Sequence, residues 1–150
     1  MSVGPFPIST VIKRLREHAL VLLEVGDAAD LTTALAQQPR VNVAAYVTAA
    51  ELGKPIKYSG PVAIQNCDVT VRVVLFVRNY ADEATGSGAR QQMDSEVIPA
   101  VRKALFGWTP DGAFDALSFQ AGRDEKFTAG WLVSQQIFAT DYRMTQQVTP

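Results

Sequence analysis

The chain has 150 residues, a hydrophobic share of 47%, a charged share of 19% and a formal net charge of -1. That length suits one domain, 1–150, with a core of its own, and the near-neutral charge removes the electrostatic case for a nucleic-acid or anionic-lipid binder. A single cysteine, Cys67, excludes an internal disulfide, and no apolar run reaches the roughly 20 residues that cross a bilayer. The first residues, "MSVGPFPIST", lack the charged-then-apolar order of a secretory signal, so the expectation is a chain made in the cytoplasm.

After "GPFP", Ser9 or Thr10 is placed to cap a helix to about Ala19, with Val11, Ile12, Leu15 and Ala19 on one stripe. "LVLLEVGD" (20–27) reads as a short extended or connecting piece. Asp27 or Asp30 then opens a second helix to about Gln37, packed through Ala28, Leu31, Ala34 and Leu35 and stopped by Pro39. "RVNVAAYVTA" (40–49) alternates as a first long strand, "AELGKPIKYSGP" (50–61) has the turn formers of a loop, and residues 62–79 form a second strand. Residues 80–90, "YADEATGSGAR", offer little to bury and are expected to be mobile. A third helix from about Ala89 to Phe106 presents Met93, Val97, Val101 and Leu105 inward, with Pro99 predicting a kink and Gly107 an end. Two further strands, 113–123 and 130–144, are expected to flank the charged connection "DEKFT".

The long strands carry the most telling pattern. In "DVTVRVVLFVRNY" (68–80) Asp68, Thr70 and Arg72 point one way and Val69, Val71 and Val73 the other, and then Val74, Leu75, Phe76 and Val77 leave no polar side. This run is about 40 Å long, far beyond an ordinary strand and comparable to the width of a domain whose radius of gyration is about 15 Å. The last strand repeats the pattern, with Leu132, Phe138 and Tyr142 on one face and Trp131, Val133, Ile137 and Ala139 on the other. A second apolar sheet face with exposed edges is an aggregation hazard in an isolated copy, so assembly is expected.

Catalytic chemistry finds little support. The sole histidine, His18, has no second His or Cys to complete a metal set, and Cys67 reads as a small buried hydrophobe rather than a nucleophile. Asp82 with Glu83 and Asp124 with Glu125 fall in expected loops, where neighbours in sequence do not converge. "GSGAR" (86–90) lacks the spacing and Gly-Lys-Ser/Thr ending of a phosphate loop, and no basic stripe interleaves the strand aromatics as single-strand binding requires. The expectation is no enzyme, no cofactor and no metal.

The order of segments, however, is distinctive: "VGDAADL" (25–31), "PRVNVAAYV" (39–47), "VLFVRNYADEATGSG" (74–88), "ALFGWTPDGAFDALSF" (104–119) and "FATDYRM" (138–144). Together these words resemble the tail terminator proteins of tailed bacteriophages, especially long contractile-tailed phages and related prophages. The resemblance implies an α+β fold, mainly an antiparallel four-stranded sheet with helices packed on one face. It further implies a structural virion protein, assembled in the host bacterial cytoplasm and sited at the tail–neck junction. There a homohexameric ring caps the tail tube, ends polymerisation of the tube, and of the sheath where one is present, and offers the attachment surface for neck and head proteins, with no membrane contact and with DNA only passing through the lumen. A ring needs a heterologous interface, and a neighbouring subunit or the tube beneath is expected to cover part of the second sheet face, at Val74, Phe76, Arg78, Trp131, Val133 and Ile137. Loops 49–61 and 80–90, with Lys54, Lys57, Asp82, Glu83 and Arg90, are expected to reach towards tube or lumen. Two other readings are a neck or head-to-tail adaptor of the same virion and a generic oligomeric α+β binding domain.

Overall fold

The computed structural model describes residues 3–81 and 83–148. Helix α1 (Ile8–His18) leads through strand β1 (Glu24–Gly26) to helix α2 (Ala28–Gln37) and strands β2 (Val43–Gly53), β3 (Lys57–Ser59) and β4 (Val62–Arg78). Helices α3 (Ser87–Gln92) and α4 (Ile98–Leu105) follow, joined by a π-helical turn (Met93–Val97), before the closing hairpin of β5 (Ser118–Thr128) and β6 (Trp131–Gln147).

The valine-rich run is the spine of the sheet. β4 spans 17 residues and pairs antiparallel with β2 from Val43↔Val77 to Gly53↔Cys67 on one side, and with β6 from Val62↔Gln147 to Arg78↔Trp131 on the other. β-branched side chains at this density favour a long pleated strand held on both edges. The order is β1-β2-β4-β6-β5, with β3 pairing β4 beyond the end of β2. The sheet therefore has six strands rather than the expected four, and it is mixed, because β1 runs parallel to β2. Part of the segment expected to be a loop at 49–61 is strand: β2 continues to Gly53, and a short hairpin brings Lys57–Ser59 against Val62–Ile64.

One face carries the main core. Val69, Val71, Val73, Leu75 and Val77 of β4 join Val43, Ala45 and Val47 of β2 beneath α1 and the third helix. From those helices Val11, Leu15, Met93, Val97, Val101 and Leu105, all fully buried, pack down on them. α1 starts behind Pro7, with no side-chain cap, so Ser9 and Thr10 sit inside the helix instead of capping it.

The opposite face is not left to a neighbour at this end. α2 lies across it, and Leu31 and Ala34 pack with Ala44, Tyr46, Val74, Phe76, Trp131 and Val133 in a second cluster. Helices thus occupy both faces, against the expectation of one. Directly after β1, Asp27 opens α2 by accepting from the N–H groups of Ala29 and Asp30 while Asp30 accepts from Asp27 N–H, a reciprocal capping box. Parallel pairing of β1 with β2 then sets the helix down on the far side.

Pro99 acts as the sequence predicts, but through a π turn. It offers no N–H to Ser95, and the turn before it widens so that Ile98 N–H reaches Met93 O, five residues back. The final hairpin differs from expectation more strongly: "DEKFT" is strand, and Ala129 (φ 51°) and Gly130 (φ 83°) form the two-residue turn.

The described residues of segment 80–90, 80–81 and 83–90, are wound into structure. Among its described residues Ala81 N–H donates to Asn79 Oδ1 (2.9 Å) and Glu83 accepts from Arg78 Nη2 (2.8 Å). Asn79 Nδ2 in turn donates to Gln92 Oε1 at 3.0 Å. Gly86 (φ 76°) enters α3 in the left-handed region, and a side chain there would come within 2.9 Å of the Phe127 ring. The expected mobile segment instead leans on the last hairpin.

Candidate functional site

The sheet face that carries α2 divides into three zones along β4. At the Arg78 end, Val74, Phe76, Trp131 and Val133 are buried by the chain's own α2, with Phe76 edge-on to Tyr46 (5.5 Å) and to Trp131 (6.3 Å). The sequence places these four under a neighbouring copy or the tube; in the folded chain the side chains of Leu31 and Ala34 pack on them. Arg78 stays half-buried at the margin, bonded to Glu83 and lying 5.0 Å from the Tyr80 ring centroid and 5.8 Å from that of Trp131. The Glu83 hydrogen bond, opposed by burial, holds its guanidinium above the ordinary range. Ile137, further along β6, is half-buried.

The middle zone is a groove of about 280 Å³ between α2 and β5. Leu31, Leu35, Val74 and Val133 give it an apolar floor, and Leu35 is 56% exposed. Arg72, Arg123 and Lys126 stand on its rim with one carboxylate, Glu125. That carboxylate is engaged, accepting from Arg123 Nε (3.0 Å) and from Gln135 Nε2. Among the described residues Arg72 and Lys126 make no ion pair. Gln135 lines the groove while only 2% exposed, and its Oε1 has no hydrogen-bond partner. A buried carbonyl oxygen without a donor costs about 1–3 kcal/mol.

The third zone is an open hollow of about 630 Å³ towards the free ends of β2 and β6. The carboxylates in its wall are those of Asp68, Asp115 and Asp141, with no cation beside them in the lining. Asp68 and Asp141 are register partners on β4 and β6. A hydrogen bond that protonated Asp141 donates to Asp115, partial burial and the negative charges of Asp115 and Asp68 raise the Asp141 pKa from its ordinary value, against a lowering by Lys54. Beside the carboxylates stands Leu52, register partner of Asp68 and 72% exposed.

The remaining expected contact residues scatter. Lys54 bridges to Asp68 (3.5 Å), and Lys57 sits exposed on β3. Arg90 joins α3 to the hairpin through Asp94 (2.9 Å) and Asp124 (2.6 Å), so it braces the fold rather than leading a free loop. Asp82 lies outside the described residues. On the helix-covered face Cys67 is buried beside Glu51, which accepts from Tyr142 Oη at 2.6 Å. His18 is exposed on α1, distant from that group in sequence. Among the described residues no three His, Cys, Asp or Glu side chains gather as a metal set.

What the sequence missed was the pairing of zones. Asp68, Thr70 and Arg72 do share the face the alternation gave them, but Gln135, Arg123, Lys126, Asp115 and Asp141 join them only through strand register. The signal present in the sequence was a run of charges on strand positions whose apolar neighbours face the core. It needed the pairing of β5 with β6 to be read as two patches.

The family model described as phage tail terminator protein matches residues 1–149. No curated protein matches the chain.

Proposed function

The chain belongs to the phage tail terminator family, and from that membership we propose that it ends a phage tail by seating on the tip of the tail tube as a closed homohexameric ring. The coarser role follows from the family itself: a structural component of the phage tail, in a family of virion proteins rather than enzymes. In the fuller reading the ring stops addition of tube subunits, sits at the tail–neck junction, bounds the sheath where one is present and presents the surface that the neck and head proteins meet. DNA passes its lumen without being held.

The observation that carries the proposal is the family match across residues 1–149. The sheet face adds physical support, since α2 covers one end and leaves a basic groove and an acidic hollow open beyond it. The interface expected at Val74, Phe76, Trp131 and Val133 moves accordingly along the same face. Ile137 and the residues around Arg72, Asp68 and Asp141 are the available part of it, with the buried four as its foundation.

Deletion of this chain from the producing phage tests the reading by electron microscopy of lysates. The expected result is headless tubes of uncontrolled length, restored to a single length when the chain is supplied from a plasmid. Tails of normal length joined to heads would reject termination. Tails of normal length without heads would favour a neck adaptor instead.

A further inference from the structure

We propose that the basic groove between α2 and β5 of one copy receives the acidic, Leu52-bearing hollow of the next copy, and that this match is the joint between neighbours in the ring. The inference rests on the terminator reading for its ring, but its contacts come from the surface alone.

Three features of the groove ask for a particular occupant. Its floor of Leu31, Leu35, Val74 and Val133 takes an aliphatic side chain. Arg72 and Lys126, which lack ion-pair partners among the described residues, take carboxylates. The unpartnered Oε1 of Gln135, in a residue only 2% exposed, takes a donor such as a backbone N–H or hydroxyl. The hollow presents the aliphatic group and the carboxylates: Leu52 projects at 72% exposure beside Asp68 and Asp141.

The two halves cannot meet within one chain. Arg72 and Asp68 are on the same strand and face, about 13 Å apart along it. Lys54 reaches Asp68 at 3.5 Å from within the chain, but Arg72 and Lys126 are left for another copy. Two copies that exchanged groove and hollow reciprocally would stop at a two-fold dimer, a sedimentation result that overturns the ring joint. A groove seated on the hollow of the next copy, whose own groove takes the hollow of a third, is instead a heterologous contact. Such a contact also relieves the hollow, where Asp115, Asp141 and Asp68 crowd one another. An arriving Arg or Lys lowers that repulsion, so charge both orients the encounter and excludes a groove-to-groove pairing.

Charge-exchanged variants test the joint. Arg72→Glu with Lys126→Glu makes the groove acidic; Asp68→Lys with Asp141→Lys makes the hollow basic. All four sites are at the surface or half-exposed, and circular dichroism and a milder pair, Arg72→Gln and Asp68→Asn, control for folding. Assembly is read by sedimentation of the free protein and by co-sedimentation with tail tubes from cells that lack the chain. Each double variant is expected to lose at least tenfold in assembly, the milder pair to lose less, and an equimolar mixture of the two double variants to regain it with equal incorporation of both. Wild-type-like assembly of either double variant, or a mixture that stays as separate chains while the wild type assembles, overturns the joint and leaves the ring standing. A wild-type chain that neither self-associates nor binds tubes overturns both.

Discussion

Phe76→Ala is expected to lower the stability of the isolated chain by about 3–5 kcal/mol, seen as a fall in the denaturant midpoint that does not depend on protein concentration. Phe76 is 4% exposed, in edge-on contact with Tyr46 and Trp131, and α2 closes over all three through Leu31 and Ala34. Truncation removes most of an aromatic side chain from a cluster made by three strands and a helix, and the short α2 cannot settle into the gap without leaving its capping box. The result discriminates between two ways of covering a valine-rich strand. If a neighbouring copy covered Phe76, the free chain would lose little and the loss would fall on assembly, with a midpoint that varied with concentration. A change below about 1 kcal/mol in the free chain would contradict the packing described here.

Gly88→Ala is the second change with a large expected effect. A Cβ at this position would stand 2.0 Å from the carbonyl oxygen of Ala81 and 3.0 Å from Asn79 Oδ1. The first is a backbone atom, so the turn at 79–86 must move away from α3 to admit a methyl group. Asn79 would then lose its bonds to Ala81 N–H and Gln92, and the Arg78–Glu83 pair that closes the turn would be pulled apart. Alanine normally improves a helix by up to about 1 kcal/mol over glycine. Here the expected net effect is a loss of about 1–3 kcal/mol, accompanied by faster amide exchange at Ala81 and Asn79. An unchanged or raised stability would mean that residues 79–81 and 83–88 do not pack as described.

Segment 80–90 also shows where sequence reasoning ran out. Its composition lacks large apolar groups, which licenses an expectation of mobility, yet what orders it is polar and steric: an Asn side chain bonding its own turn, an ion pair, and glycines that let backbone approach backbone. None of these has a period. The spine, by contrast, was legible residue by residue, because alternation fixes which side of β4 each side chain takes and the continuous run at Val74–Val77 announces burial on both sides. The amphipathic stripe of α1 and the disturbance at Pro99 were equally readable.

The identity of the second cover was not legible. Leu31 and Ala34 read as part of the packed stripe of α2, but nothing local says on which side of a sheet a ten-residue helix will lie. That depends on β1 pairing in parallel with β2, a contact of three residue pairs between segments about 20 residues apart. The last hairpin was misplaced for a similar reason. "DEKFT" looked like a turn by charge, whereas Ala129 takes a positive φ because Gly130 after it and the paired strands on either side hold it there. Charge marks an exposed edge strand as readily as a turn, and β5 is exposed throughout.

The same register effect made the candidate surface hard to see. Arg72 and Asp68 belong to one stretch of sequence, but the groove and hollow around them are completed from β5, β6 and the segment before β5. A strand that the sequence presents as greasy on both sides proves to be apolar where α2 lies and charged, in two opposite patches, where it does not.

The central claim is that this chain closes a tail as a ring on the tube's end. Its most direct test is cryo-electron microscopy of the intact particle, with the density for this chain located and its copies counted. The account predicts a single hexameric layer at the head-proximal end of the tube, each subunit's Arg72 side meeting the Asp68 and Asp141 side of the next. Density distributed along the tube, or found only within the neck or the sheath, would contradict it.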